Sequence, residues 1–213
     1  MNEAIGLLIK RYPTLAACAG AIEETYEILR DCYVNGGKLL IAGNGGSCAD
    51  AQHIVGELMK GFKSRRACSK EFASALCGVD AVRGKELAEK LQGGLSAIAL
   101  TDHAALNTAF VNDVENGGVL TYAQQVYGYG KAGDVFLGIS TSGNAKNVMY
   151  AAVTARARGM KVLGLTGKSG GELGKFADVC IRVPETETYM IQELHLPVYH
   201  CLCLMLEEYF FGV

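Results

Sequence analysis

Residues 38–47 read KLLIAGNGGS, and CADAQHIVGE follows directly at positions 48–57. The first five residues are apolar nearly throughout instead of alternating. That is the pattern of a strand covered on both faces, as in a parallel sheet. A glycine-rich turn and a helical pattern over 46–60 come next. Strand, glycine turn and helix together open an α/β unit. Four more apolar segments of strand length lie at 95–100, 134–139, 161–165 and 178–183. Helical patterns separate them at 103–127 (two helices), 145–158 and 169–176, and a last helix runs over 187–210. Upstream, residues 3–11 and 14–34 read as helices broken at Pro13, with Leu15, Cys18, Ile22, Tyr26 and Leu29 at helical spacing and Gly36-Gly37 as a stop. The expected fold is therefore α/β: a three-layer, doubly wound, five-stranded parallel sheet preceded by N-terminal helices over 1–36.

Residues 64–94 fit this alternation least. They open on Ser64-Arg65-Arg66, carry a helical stretch near 82–91 and close on Gly93-Gly94. We read them as a surface excursion within one domain spanning 1–213, with Arg65 and Arg66 as solvated charges. Half of the 213 residues are apolar and a fifth are charged, so a mainly disordered chain is excluded. The net charge of −2 leaves no chain-wide basic footprint for nucleic acid. Neither a signal peptide nor a membrane span is expected, which places the chain in the cytoplasm. The eight cysteines form no CxxC pair and sit mostly in apolar runs, so they read as reduced thiols.

In a doubly wound sheet, ligands bind beyond the carboxyl ends of the strands. The loop after the first strand carries Asn44, Gly45, Gly46 and Ser47, and it leads into a helix N-terminus that favours an anion. The loop after the third carries Ser140, Thr141, Ser142, Gly143 and Asn144. One such residue suffices for an N-cap, so the surplus of hydroxyls points to a phosphate cradle that needs no lysine. His53 and Glu57 are four apart and share a helix face. Such a pair could ligate a metal, or the carboxylate could act as a general base. The last helix carries Gln192, His195 and His200. Gln192 and His200 lie about 80° apart around the axis and about 12 Å apart along it, while His195 lies about 140° from His200. His200 stands in an otherwise apolar run and would be costly to bury unpartnered. Asn112-Asp113 reads equally as a helix end or as a sugar contact. Tyr122, Tyr127, Tyr129 and Tyr150 read as packing.

Taken together, AGNGGSCADAQHIVGE, LGISTSGNAKNV and IQELHLPVYH resemble the sugar isomerase (SIS) domain family, and within it the phosphoheptose isomerases, over nearly the whole chain. The resemblance implies a flavodoxin-like fold and an aldose–ketose isomerisation of a sugar phosphate. It also implies one zinc ion per site on residues matching His53, Glu57, Gln192 and His200. Glu57 and His200 would be the acid/base pair. Asn44, Gly45, Gly46, Ser47, Glu57, Asn112, Asp113, Ser140, Thr141, Ser142 and Gln192 would meet the substrate. Homotetramers with active sites at subunit interfaces are expected, which would relieve the 12 Å separation. Ala145 and Tyr189 depart from the family, which usually has a hydroxyl at the first position and often an acid at the second. The 64–94 region also looks longer than the family's usual connection. Two alternatives stand beside this reading: isomerisation of another sugar phosphate, and non-catalytic binding of a sugar phosphate or partner. A sugar-phosphate-sensing DNA-binding regulator is disfavoured, because the residues ahead of the first strand are too few and not basic.

Overall fold

The computed structural model describes residues 2–212. Five strands form one parallel sheet: β1 (Leu39–Gly43), β2 (Ala97–Ala99), β3 (Val135–Ser140), β4 (Lys161–Thr166) and β5 (Val179–Arg182), in the order β2-β1-β3-β4-β5. Successive side chains alternate between the two faces. Leu39 and Ile41 of β1 and Val135, Leu137 and Ile139 of β3 pack on one side. They meet α1 (Glu3–Arg11), α2 (Ala19–Val34), α3 (Gly46–Met59) and α10 (Thr188–Phe211). Leu40, Ala42, Phe136 and Val162 point to the other side, where α7 (Gly117–Tyr129), α8 (Lys146–Ala157) and the short α9 (Leu173–Phe176) cover them. Both faces are buried, which is why the strands carry no polar alternation. The remaining helices are α4 (Lys70–Val79), α5 (Ala81–Lys90) and α6 (Ala104–Asp113).

The chain leaves β1 towards one sheet edge and returns to build β3, β4 and β5 towards the other. The loops after β1 and β3 therefore diverge and open a crevice at the carboxyl ends of the strands. Both glycine-containing loops singled out in the sequence sit there.

Several expectations need correction. The 14–34 helix begins as a 3-10 turn, Pro13–Cys18, because proline suits the first position of a turn that needs no N–H there. The 169–176 helix shrinks to four residues, since Gly170 and Gly171 both take positive φ. The 64–94 excursion holds two helices, α4 and α5, and not one. Ser69 caps α4 through Phe72 N–H, and Asp80 caps α5 through the N–H groups of Val82 and Arg83. No residue of α4 is buried.

Arg66 is the largest correction. It is buried in the fold, not solvated. Helix α3 ends with carbonyls that lack intrahelical partners. The Arg66 guanidinium donates to two of them, Leu58 O at 2.7 Å and Glu57 O at 3.0 Å, and to Glu207 Oε1 at 2.8 Å. Glu207 also accepts from the N–H groups of Phe62 and Lys63 at 2.8 and 2.9 Å. Burial alone would raise the Glu207 carboxyl, but these donors outweigh it and hold the group below its usual range. The pair thus clamps the end of α3, the loop after it and α10 to one another.

Candidate active site

The crevice floor is built from backbone. Gly45 is the N-cap of α3 with φ +56° and ψ −122°, which only glycine adopts easily. Gly143 has φ +69°, and a Cβ there would lie 2.0 Å from Gly170 O. The Asn44 and Asn147 carboxamides exchange hydrogen bonds of 2.9 and 2.8 Å, tying the β1 loop to the start of α8. Ser47 and Ser140 are buried, whereas Ser142 is exposed and Thr141 half-buried. The Ser142 hydroxyl accepts from Asn144 N–H at 3.2 Å. The α8 N-cap is Ala145, which supplies no side-chain acceptor. The N-terminus of α8 is thereby left with donors to offer an anion, as the sequence reading expects. Lys168, Ser169, Thr186 and Thr188 line the same cleft with Thr141, Ser142 and Asn144. The sequence reading missed these four. The available signal was the TGKSGG run at the end of β4, which puts a cation and a hydroxyl on a third carboxyl-end loop.

The chemical cluster lies where α3 meets α10. His53 Nε2 is 3.1 Å from Glu57 Oε1, one helical turn on. His200 Nε2 is 3.5 Å from His53 Nε2. Lys60 Nζ donates to Glu57 Oε2 at 3.2 Å. The His200 ring packs against Phe62, Tyr199 and His53 with centroids 5.0–5.2 Å apart. Burial lowers its pKa first and the neighbouring His53 lowers it further, with Glu57 opposing, so the ring is neutral at pH 7. Behind His53, the Tyr199 hydroxyl sits 3.0 Å from Nδ1 and 3.2 Å from Asp50 Oδ1. Burial raises the Asp50 carboxyl above its ordinary value, partly offset by Tyr199 and His53.

The structure thus brings His53, Glu57 and His200 together. Gln192 sits elsewhere on α10, with its carboxamide against Gly46, where a Cβ would lie 2.6 Å from Nε2. Among the described residues it shares no hydrogen bond with the other three. Asn112 and Asp113 are exposed at the end of α6 and bond to each other at 2.8 Å. Tyr122 packs as expected and donates to Gly43 O at 2.7 Å, but Tyr127, Tyr129 and Tyr150 are exposed, with Tyr127 beneath the Arg158 guanidinium and Tyr150 beneath the Lys146 ammonium. Tyr189 is exposed too. Among the described residues, no three His, Cys, Asp or Glu side chains close on one point as a ready metal centre.

A doubly wound parallel sheet with hydroxyl and amide donors at its switch point, and a paired carboxylate and imidazole where α3 meets α10, is the architecture of a SIS domain. The SIS domain family matches residues 81–167. Beyond that class, the likeness is specific. The chain is 34% identical over 211 residues to the phosphoheptose isomerase of Akkermansia muciniphila, covering 99% of this chain and 96% of that one. It is 40% identical over 200 residues to that of Thiobacillus denitrificans, covering 92% and 87%. The solved phosphoheptose isomerase of Neisseria gonorrhoeae superposes with a TM-score of 0.74 at 32% identity, covering 95% of this chain and 94% of that one. The chain belongs to the phosphoheptose isomerase family.

Proposed function

We propose that the chain converts sedoheptulose 7-phosphate to D-glycero-D-manno-heptose 7-phosphate through an enediol. The observation that carries this reading is the Glu57 carboxylate beside the His53 and His200 imidazoles, in a fold that also presents a crevice lined by hydroxyls and amides. Binding alone would need neither group. The substrate phosphate docks on the Ser140–Asn144 loop and the N-terminus of α8, with Lys168 as a further cation. Asn44 faces the sugar from the glycine loop, and Gln192 faces it from α10, against that loop. The Glu57 carboxylate takes the proton from the carbon beside the ketone, and the electron pair of that C–H bond forms the enediol double bond. Neutral His200 moves the hydroxyl proton from one oxygen to the other. Glu57 then returns its proton to the former carbonyl carbon, leaving the aldehyde. Each such group contributes roughly 10²–10⁴ in rate.

Zinc belongs to the proposal. Two donors on one tetrahedral zinc at about 2.0–2.1 Å stand about 3.4 Å apart. The His53–Glu57 and His53–His200 spacings of 3.1 and 3.5 Å bracket that value. His53, Glu57 and His200 would have to move onto one point to hold the ion, with Gln192 as the fourth ligand that the family resemblance implies, and Glu57 would leave the ion to act as the base. When bound, zinc polarises the carbonyl and stabilises the enediolate. We also propose a homotetramer with interfacial sites, supported by an apolar groove between α1 and α10 that runs up to His200. Eight free cysteines suit a reducing compartment, so we place the protein in the cytoplasm. No described helix is long and apolar enough to cross a membrane.

A coupled turnover assay on zinc-loaded, metal-stripped and Glu57→Gln protein tests the proposal. Turnover that Glu57→Gln cuts at least 100-fold and that metal stripping suppresses is expected. No turnover of sedoheptulose 7-phosphate by the loaded wild type would overturn it.

A further inference from the structure

We infer that Tyr199, anchored by Asp50, is a positioning residue that fixes the His53 proton on Nδ1 and turns the bare Nε2 towards Glu57 and His200. The argument is a count of protons. Tyr199 has a single hydroxyl proton and two polar neighbours, Asp50 Oδ1 at 3.2 Å and His53 Nδ1 at 3.0 Å. An ionised carboxylate can only accept. The hydroxyl therefore donates to Asp50, and its oxygen is left to accept. The hydrogen bond to His53 then exists only if Nδ1 carries the proton.

In a neutral ring that leaves Nε2 as a bare lone pair. Nε2 is 3.1 Å from Glu57 Oε1 and 3.5 Å from His200 Nε2. Two acceptors at such a distance repel unless a positive charge lies between them. The Asp50–Tyr199 pair therefore leaves the His53 lone pair and the Glu57 carboxylate to share a cation, the part given to zinc in the proposed function.

The surroundings hold this arrangement in place. Tyr199 is 2% exposed, so water does not compete for its hydroxyl. Asp50 Oδ2 is buried with no partner, which leaves Tyr199 as the sole side-chain hydrogen-bond partner of Asp50 among the described residues. The Tyr199 ring also stands edge-on to His53 and His200, with centroids 5.5 and 5.0 Å away. A carboxylate or hydroxyl behind a metal-binding imidazole sets its tautomer and raises its basicity, and its loss typically weakens metal affinity 10–100-fold. The tautomer is a property of the free protein, and its consequence for affinity rests on the zinc reading above.

The test uses the full chain, metal-stripped and labelled with ¹⁵N-histidine, near neutral pH. Long-range ¹H–¹⁵N correlation reads the tautomer of each histidine, and His53→Asn assigns the His53 signal. The wild type is expected to show His53 protonated at Nδ1. Tyr199→Phe and Asp50→Ala should each shift it towards Nε2–H, the first by removing the acceptor and the second by freeing the hydroxyl to donate to Nδ1. Chelator competition should show zinc bound 10–100-fold more weakly by both variants. An Nε2–H tautomer in the wild type would overturn the inference, and so would zinc affinity unchanged in both variants. If the wild type takes up no zinc, the metal reading fails alone, and the tautomer still decides the role of Tyr199.

Discussion

An imidazole sealed in an apolar core has only its neutral form to live in. His195 is fully buried on α10, and neither ring nitrogen has a hydrogen-bond partner. Desolvation lowers its pKa from 6.5 to about 4, and the Thr166 backbone, which approaches outside hydrogen-bond geometry, offsets only part of this. In the unfolded chain the ring takes a proton below about 6.5, while in the fold it waits until about 4. Protonation between these values favours unfolding, so stability is full above pH 6.5 and falls as pH drops towards 4. The loss is about 3 kcal/mol at 1.36 kcal/mol per pKa unit. Thermal melts from neutral pH down to 4 should show this limb in the wild type and lose most of it in His195→Leu; equal slopes would refute the account. The sequence already set His195 apart, because 140° of helical rotation aims it away from His200. The His53/Glu57 pair was legible in the same way, from a spacing of four. Tyr199 was not. Its role depends on Asp50, 149 residues away in sequence, and only the packing of α3 on α10 brings the two together.

Helix α3 carries His53 and Glu57, α10 carries His200, and their relative placement depends on a clamp built from neither active residue. Arg66 and Glu207 are both buried, and the guanidinium also satisfies the last carbonyls of α3, including that of Glu57. Removing one partner of a buried ion pair strands the other charge, at about 3–5 kcal/mol, whereas replacing both with apolar residues costs far less. Arg66→Met should therefore destabilise the protein by that amount in urea melts, and Arg66→Met/Glu207→Leu should recover part of the loss. If the double variant is as unstable as the single, the stabilisation lies in the α3 carbonyl contacts and not in the pair. This element was misread because Ser64-Arg65-Arg66 looks like any charged loop. Burial of an arginine is announced by its partner, and Glu207 lies 141 residues further on. Helix α4 was missed although Phe72, Leu76 and Val79 recur at helical spacing; the fold buries none of its residues, so the stripe faces no core. The strands were legible because burial on both faces leaves an unbroken apolar run.

At the scale of the whole molecule, the order β2-β1-β3-β4-β5 puts both glycine-containing loops at one crevice. The His53–Glu57–His200 cluster, by contrast, opens beside the groove between α1 and α10. That groove is lined by Leu7, Leu8, Tyr12, Leu196, Pro197 and Leu204 up to His200. Leu7 is 54% exposed and Leu196 is 41% exposed, which is a large apolar area to leave beside a polar site. A second copy of the chain seated there would exclude water from His200 and strengthen every electrostatic contact inside the site. For the proposed homotetramer, light scattering should give a particle about four times the 22.6 kDa chain. Leu196→Glu would place a charge in the apolar contact without touching His53, Glu57 or His200. The expected result is a smaller particle and a parallel fall in kcat/KM, with the monomer fold kept in circular dichroism. A smaller particle with undiminished turnover would mean that one chain holds a complete site. In that case the groove serves assembly only, and the crevice and cluster must close on the substrate within a single subunit.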